Sequence, residues 1–392
     1  MRNYTFLTKP SLYLFLFIFS IIGLKAQDSI NVSILTCGTG TSEVYQAYGH
    51  TGIRVKNYSA NTDMVYNYGM FTYSDDFLFQ FIQGKLLYFV DTEDFDSFMY
   101  DYTYFGRSVR EQILNLTPDQ KNRLIAALER NILPENKYYL YDFIYNNCST
   151  QPRELIKNSI GPDFKFKKLA TENTETIREL VDRHMTYNEW LDFGIDLLLG
   201  VRFDKVADAN TRMFLPEELM IEFDSTSYHG KPIVEDSRMI YQGREQVIPK
   251  LIDPTLLFWV ILGFILLIQI FYSTSTFRRA LAFTFLIFAG IIGWILTFMW
   301  FGTDHYMTKW NYNLLWAMPI YFPLAIFFFK AEKFKLIQLL IQVSKLILIL
   351  LLLLWTFNPQ QFHSAIIPII LILIWSLSEF LPFPKTAKTT IS

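Results

Sequence analysis

The chain has 392 residues, 35 of them basic, 37 acidic and 51% hydrophobic, which excludes a polybasic nucleic-acid-binding protein and a disordered chain. The charge is unevenly distributed. Residues 1–250 contain 59 charged side chains, about 24%, whereas residues 251–392 contain 13, about 9%. This division excludes a single soluble domain and predicts a globular part followed by a membrane part.

The N-terminus has the pattern of a secretory signal peptide. Arg2 and Lys9 form a basic region, Leu12–Leu24 is a short apolar segment, and Ala26 offers a small residue for cleavage. We therefore predict a signal peptide over residues 1–26. An uncleaved anchor helix is the alternative, although the apolar run is short for a membrane span.

Residues 27–250 form the predicted exported domain, with strand patterns first and helical patterns later, which favours an α+β fold. Strands are predicted over Ile30–Thr36, His50–Lys56, Asp63–Gly69, Leu86–Val90 and Arg107–Asn115. Helices are predicted over Thr41–Tyr48, Thr117–Arg130 and Ser149–Ile160.

Residues 251–392 form the predicted membrane domain, in which five apolar stretches approach the length of a bilayer span. They are Thr255–Phe271, Ala280–Phe301, Leu314–Phe329, Leu336–Trp355 and Ala365–Leu381. Seven basic residues follow spans one, three and five: Arg278, Arg279, Lys330, Lys333, Lys335, Lys385 and Lys388. The opposite loops contain one, Lys309. The excess predicts that the first set of loops is cytoplasmic and that the domain before them is exported.

The chain contains two cysteines, Cys37 and Cys148. An even number of cysteines outside the cytoplasm can indicate a disulfide. The alternative is a catalytic thiol. Cys148 precedes a predicted helix, whose N-terminal N–H groups would lower the thiol pKa and could bind an oxyanion. His50 would be the base, and Asn67 on the next strand would orient its ring. Cys37 is the second candidate nucleophile.

The loop after the second span carries polar residues on the exported side. His305, Asn311 and Asn313, with Asp304 and Lys309, could bind a phospholipid head group or help the base, whereas the neighbouring aromatic residues could simply form an interfacial belt. Metal-binding, dinucleotide-binding and P-loop spacings are absent from the sequence, as is the G-x-S-x-G motif. We therefore expect neither a metal ion nor a soluble cofactor.

The sequence resembles the Lnb lipoprotein N-acyltransferases along nearly the whole mature chain. The resembling segments in the exported domain are Leu35–Gly40, Tyr48–Val55, Val65–Gly69, Gly84–Tyr88, Gly106–Gln112, Tyr138–Cys148, Trp190–Asp196 and Met213–Pro216. Asp304–Trp316 extends the resemblance into the membrane domain. Each motif alone is weak, but their order is specific.

The resemblance implies a permuted NlpC/P60-type, papain-like exported domain, in which the catalytic histidine precedes the cysteine. It implies His50 as base and Cys148 as nucleophile, whereas Asn67 is not supplied by the family pattern. The implied activity transfers an acyl chain from a membrane phospholipid, through a Cys148 thioester, to the α-amino group of diacylated lipoproteins. The implied location is the bacterial inner membrane, with the catalytic domain in the periplasm.

Two other functions stay open at this point. A membrane-tethered periplasmic cysteine peptidase or peptidoglycan amidase could use the same fold, because a fold does not determine the chemistry. A non-enzymatic envelope assembly protein is the second alternative, with Cys37 and Cys148 joined in a disulfide.

Overall fold

The computed structural model describes residues 29–167, 174–244, 251–271 and 274–381. The predicted signal peptide, residues 1–26, lies outside the described residues. Within them an α+β region precedes a helical, apolar region, as the composition predicts.

The exported region is built on one seven-stranded antiparallel sheet. Its strands are β1 (Ile30–Cys37), β2 (His50–Asn57), β3 (Thr62–Met70), β4 (Leu87–Asp94), β5 (Val109–Leu114), β6 (Tyr138–Leu140) and β9 (Val234–Tyr241), in the order β6-β4-β3-β2-β1-β5-β9. A separate hairpin contains β7 (Ser227–Tyr228) and β8 (Lys231–Pro232). The five predicted strands are confirmed. The strands β6 and β9 were not predicted, because β6 is only three residues long and β9 has no buried residue and no alternation of apolar and polar side chains.

Eight α-helices accompany this sheet among the described residues. They are α1 (Phe77–Gln83), α2 (Phe95–Tyr104), α3 (Pro118–Asn131), α4 (Thr150–Ile160), α5 (Ile177–Asp182), α6 (Glu189–Leu198), α7 (Ala209–Arg212) and α8 (Pro216–Ser225). The predicted start of α3 is confirmed by a capping box between Thr117 and Gln120. The helix predicted over Thr41–Tyr48 is shorter, a 3₁₀ helix at Val44–Tyr48 that ends at Gly49.

The two faces of the sheet pack against different helices. The larger core lies on the side of α3 and α4 and includes Ile34, Ile53 and Ile156. On the opposite face, a smaller cluster joins Leu35 and Cys37 to Phe98 of α2, with Val65 and Val109. Alternation of side chains along each strand produces these two sets. Cys37 of the smaller cluster pairs with His50, so the first residue of β2 lies at the edge of that cluster.

Where the structure describes the region after residue 250, it contains five apolar α-helices. They are α9 (Pro254–Phe271), α10 (Ser275–Phe301), α11 (Tyr321–Phe328), α12 (Lys335–Leu353) and α13 (Ile366–Ser378). Among the described residues, α9, α10 and α12 are long and apolar enough to cross a membrane, and α13 is apolar but has 13 residues. The third predicted span, Leu314–Phe329, is helical only in part. It begins in a 3₁₀ turn, and Pro319 precedes the eight-residue α11.

Arg178 on α5 holds together the segment that rests on the membrane helices. Its fully buried guanidinium contacts Asp196 at 2.5 Å and Asp204 at 2.8 Å. It also donates to the carbonyl oxygens of Leu199 and Gly200. The side chain thus neutralises two buried carboxylates and donates hydrogen bonds to the backbone carbonyls that follow α6.

Arg178→Ala is expected to lower the free energy of unfolding of the exported region by about 3–5 kcal/mol, because two buried carboxylates lose their counter-charge. Urea unfolding of the detergent-solubilised full chain measures this. Arg183→Ala is the control, because 48% of the Arg183 side chain is exposed. This substitution should lower the free energy of unfolding by about 1 kcal/mol or less. Equal losses in both variants would contradict the assigned role of Arg178.

Candidate active site

His50 and Asn67 are brought together by the register of neighbouring strands. In β1 and β2, Cys37 pairs with His50, and in β2 and β3, Gly52 pairs with Asn67. Positions two apart on a strand face the same side, so His50 and Asn67 are diagonal neighbours. His50 Nε2 lies 3.2 Å from Asn67 Oδ1.

A third residue, Glu93, determines which ring nitrogen of His50 is free. The Asn67 side-chain amide donates from Nδ2 to Glu93 Oε1 at 2.5 Å. Since a carboxylate only accepts hydrogen bonds, Asn67 presents its oxygen to His50, and His50 donates from Nε2. This arrangement leaves Nδ1 as the basic nitrogen of the imidazole. Glu93, in β4, thus fixes the tautomer through Asn67.

The Cys148 thiol lies at the same end of the sheet, immediately before α4. The backbone of Thr51, the residue after His50, and the side chains of Tyr141 and Ser149 lie beside the sulfur and act to lower its pKa. Gly69 lies beside Cys148, with a φ of +85° that favours glycine, and a Cβ added there would stand 3.4 Å from the Cys148 Cβ. The thiol is therefore bounded by β2, the end of β3 and the segment after β6.

The turn before Cys148 is organised by Asn147. Its Oδ1 accepts hydrogen bonds from the N–H groups of Ser149 and Thr150, at 2.9 Å each, and its Nδ2 donates to two backbone carbonyls. The first N–H groups of α4 are therefore already bonded, which corrects the expectation that they are free to bind an oxyanion.

The electrostatic setting of the thiol and the imidazole favours their neutral forms. Burial raises the pKa of Cys148, although the hydrogen bonds from Thr51, Ser149 and Tyr141 act in the opposite direction. The prediction of a lowered thiol pKa is therefore wrong, because desolvation outweighs the helix N-terminus. Burial also lowers the pKa of His50 to about 4, with a further contribution from the positive charge of Arg107.

The second cysteine is placed differently. Cys37 is 1% exposed within the cluster under α2, and burial raises its pKa to about 12. These properties disfavour it as a nucleophile. Cys37 and Cys148 are both free thiols in the structure, so the disulfide considered from the sequence is not present.

The three polar residues predicted to bind substrate separate into two groups. Asn311 and Asn313 are each 1% exposed, and their amides donate to the carbonyls of Asp196, Leu197 and Leu198 in α6. Their side chains therefore join the membrane helices to the exported domain and do not face a binding site. His305 lines an apolar cavity, and its Nε2 lies 2.8 Å from the Phe81 carbonyl oxygen.

Three residues near the thiol and the imidazole were missed by sequence reasoning: Thr51, Tyr141 and Glu93. Tyr141 stands in the Tyr138–Cys148 motif, so its proximity to Cys148 was a usable signal. Glu93 is 26 residues from Asn67 in the sequence. Its position next to β3 follows only from the pairing of Val65 with Glu93 between β3 and β4. Within the residues that the structure describes, no group of three or more His, Cys, Asp and Glu side chains could hold a metal ion.

The fold and the apolar helices define a membrane protein with a large α+β domain on one side. Residues 25–183 match the sequence profile of the Lnb N-terminal periplasmic domain, and residues 246–381 match that of the Lnb transmembrane domain. The chain belongs to the Lnb family, which makes it a membrane protein with a periplasmic region that acts in lipoprotein maturation. No curated protein and no solved structure matches the chain.

Asn67→Ala is expected to reduce the rate of thiol acylation about 10- to 100-fold, because His50 would lose the partner that fixes its tautomer. Asn67→Gln retains an amide but displaces it, and should fall between the wild type and Asn67→Ala. Reaction of purified protein with p-nitrophenyl butyrate measures the effect. A normal rate in Asn67→Ala would show that Asn67 does not position His50.

Proposed function

We propose that the protein is a lipoprotein N-acyltransferase of the bacterial inner membrane, with Cys148 as nucleophile and His50 as base. The observation that carries the proposal is the placement of the Cys148 thiol beside Thr51, the residue that directly follows a histidine whose ring is held by Asn67. Membership in a family of lipoprotein N-acylation supports it. Papain-like permuted architecture, with the histidine first, is part of the same proposal.

In the first step, His50 Nδ1 takes the Cys148 proton as the sulfur attacks the ester carbonyl of a phospholipid. The ester C–O bond breaks, the proton passes to the departing alkoxide, and a lysophospholipid leaves with the thioester remaining on Cys148. In the second step, the α-amino group of a diacylglyceryl-cysteine attacks the thioester. The C–S bond breaks, the amide forms, and a proton returns to the sulfur, which regenerates the free enzyme.

The membrane domain suits a reaction whose two substrates both stay in the bilayer. Diacylated lipoproteins and membrane phospholipids are therefore the proposed partners. In this proposal α11 and α13, with their flanking apolar residues, complete five spans, and the basic loops face the cytoplasm. The thiol then faces the periplasm, close to the surface of the outer leaflet.

Mass spectrometry of a lipoprotein N-terminal peptide tests the proposal directly. Cells depleted of the protein should accumulate diacylated lipoprotein with a free α-amino group, and expression of the wild type should restore the third acyl chain. An N-acyl group that persists after depletion would reject the transferase. Cleaved lipoprotein or peptidoglycan peptides that depend on the protein would instead favour the peptidase or amidase.

The pH profile of acylation should report the depressed pKa of His50. The base works only when neutral, so activity should be lost as the pH falls through about 4, not through the ordinary histidine value of about 6.5. The unfolded chain binds more protons between these values, so stability should also rise with pH across that window. The acidic part of the pH–rate profile is measured from the acylation of the full chain by p-nitrophenyl butyrate between about pH 3.5 and 8. A midpoint near 6.5 would contradict the assignment.

A further inference from the structure

A cavity of about 660 Å³ lies between α1 of the exported domain and the exported end of the membrane helix α10. Its size is in the range of small-molecule sites. Every lining residue except His305 is apolar: Phe81, Ile82, Leu198, Ile291, Trp294, Ile295, Phe298, Met299 and Phe322. An apolar ligand is therefore the kind that this cavity can hold.

The position of the cavity along α10 places it at the level of the bilayer. The lining residues of α10 occupy its last three turns, and Trp294 and Ile295 remain 52% and 48% exposed beside it. On the other side, α1 buries none of its own residues and exposes Leu78 and Phe79, as interfacial helices do. The cavity thus opens sideways towards lipid.

A continuous row of aromatic rings connects this cavity to the thiol. The row consists of Phe81, Phe77, Phe71, Tyr88 and Tyr141, with successive ring centroids 6.2, 5.4 and 5.4 Å apart and Tyr88 stacked on Tyr141 at 4.2 Å. The side chain of Tyr141 in turn lies beside the Cys148 sulfur. His305 closes the lower end, because its ring lies 6.3 Å from Phe81 and its Nε2 bonds the Phe81 carbonyl.

We propose that the cavity holds the acyl chain that a membrane glycerophospholipid delivers to Cys148. The inference rests on the proposed function and adds the site that binds the donor. The chain tail lies among the α10 side chains, and the aromatic row lines its course to the thiol, so the ester carbonyl reaches Cys148 while the chain stays out of water. Phospholipid is the occupant because the cavity opens at membrane depth and its lining carries no charged residue.

Ile295→Trp tests the proposal by filling the cavity from α10. The purified full chain is placed in vesicles of 1-palmitoyl-2-oleoyl phosphatidylethanolamine, and formation of acyl-Cys148 is followed by intact mass, with p-nitrophenyl butyrate as a second, short-chain donor. Acylation by the phospholipid should fall at least tenfold. Acylation by butyrate should stay within twofold, because four carbons do not reach the cavity.

Ile349→Trp is the matched control. Ile349 is 41% exposed near the exported end of α12 and outside the cavity, so both acylation rates should be unchanged. Ile295→Phe, a smaller obstruction, should give an intermediate loss with phospholipid only. Two results would reject the proposal that the cavity binds the donor's acyl chain. One is unchanged acylation by phospholipid in Ile295→Trp, and the other is an equal loss with both donors in both Ile295 variants. A wild type that neither donor acylates at Cys148 would reject the thioester function itself.

Discussion

Cys148→Ala is expected to abolish N-acyl transfer, with a loss of at least about a thousandfold. In the proposed mechanism the sulfur of Cys148 receives the acyl group, and no other described thiol can replace it, because Cys37 is enclosed under α2. The measurement uses full-length protein in phospholipid vesicles with a synthetic diacylated lipopeptide. Mass spectrometry then quantifies the triacylated product.

Cys37→Ala provides the matched control for this experiment. Removing a buried sulfur should reduce the free energy of unfolding by roughly 1 kcal/mol and leave the transfer rate within about threefold. The reverse pattern, in which Cys37→Ala is inactive and Cys148→Ala is active, would assign the nucleophile to Cys37. Acyl-enzyme mapped to Cys148 in the wild type would exclude that reading independently.

His50→Ala is expected to slow acylation of Cys148 about 100- to 10 000-fold at pH 7, because the raised thiol pKa leaves little thiolate without a base. Its distinguishing signature is pH dependence. Without a base, the rate should rise about tenfold for each pH unit as hydroxide generates the thiolate, whereas the wild type should be nearly flat above pH 5. A merely structural histidine would not produce this slope.

His184→Ala is the control for the loss of a partly buried histidine. His184 packs beside Tyr48 and has a pKa that burial lowers, but it has no contact with Asn67 or Cys148 in the structure. The rate should stay within about threefold and the pH profile should keep its shape. If the acylation rate of His184→Ala also rises about tenfold for each pH unit, the pH dependence of His50→Ala reflects general destabilisation and not the loss of a base.

Much of the fold was predictable because its signals are local. Alternation along Ile30–Cys37 and His50–Asn57 indicates strands, and Thr117 with Gln120 marks the start of α3. The position of Asn67 relative to His50 was also within reach, since strand register repeats every two residues. The third span was less predictable, because hydropathy does not register the interruption at Pro319.

The candidate site shows where local signals end. The helix N-terminus after Cys148 suggests an acidic thiol, but Asn147 occupies its N–H groups and burial raises the pKa. Asn311 and Asn313 are polar residues at a membrane surface, yet α6 uses their amides. In each case the deciding partner comes from a segment that the local pattern does not reveal.

The amino-acid sequence was sufficient to separate a charged exported part from an apolar membrane part, because hydropathy and charge act on each segment separately. The sequence also shows that the candidate base, His50, precedes the candidate nucleophile, Cys148. Which groups lie beside the sulfur, and which apolar residues of α1 and α10 line an open cavity, was decided only by tertiary packing. Desolvation and hydrogen bonding depend on neighbours in space, and such neighbours can lie far apart along the chain, as do His305 and Phe81, which are 224 residues apart.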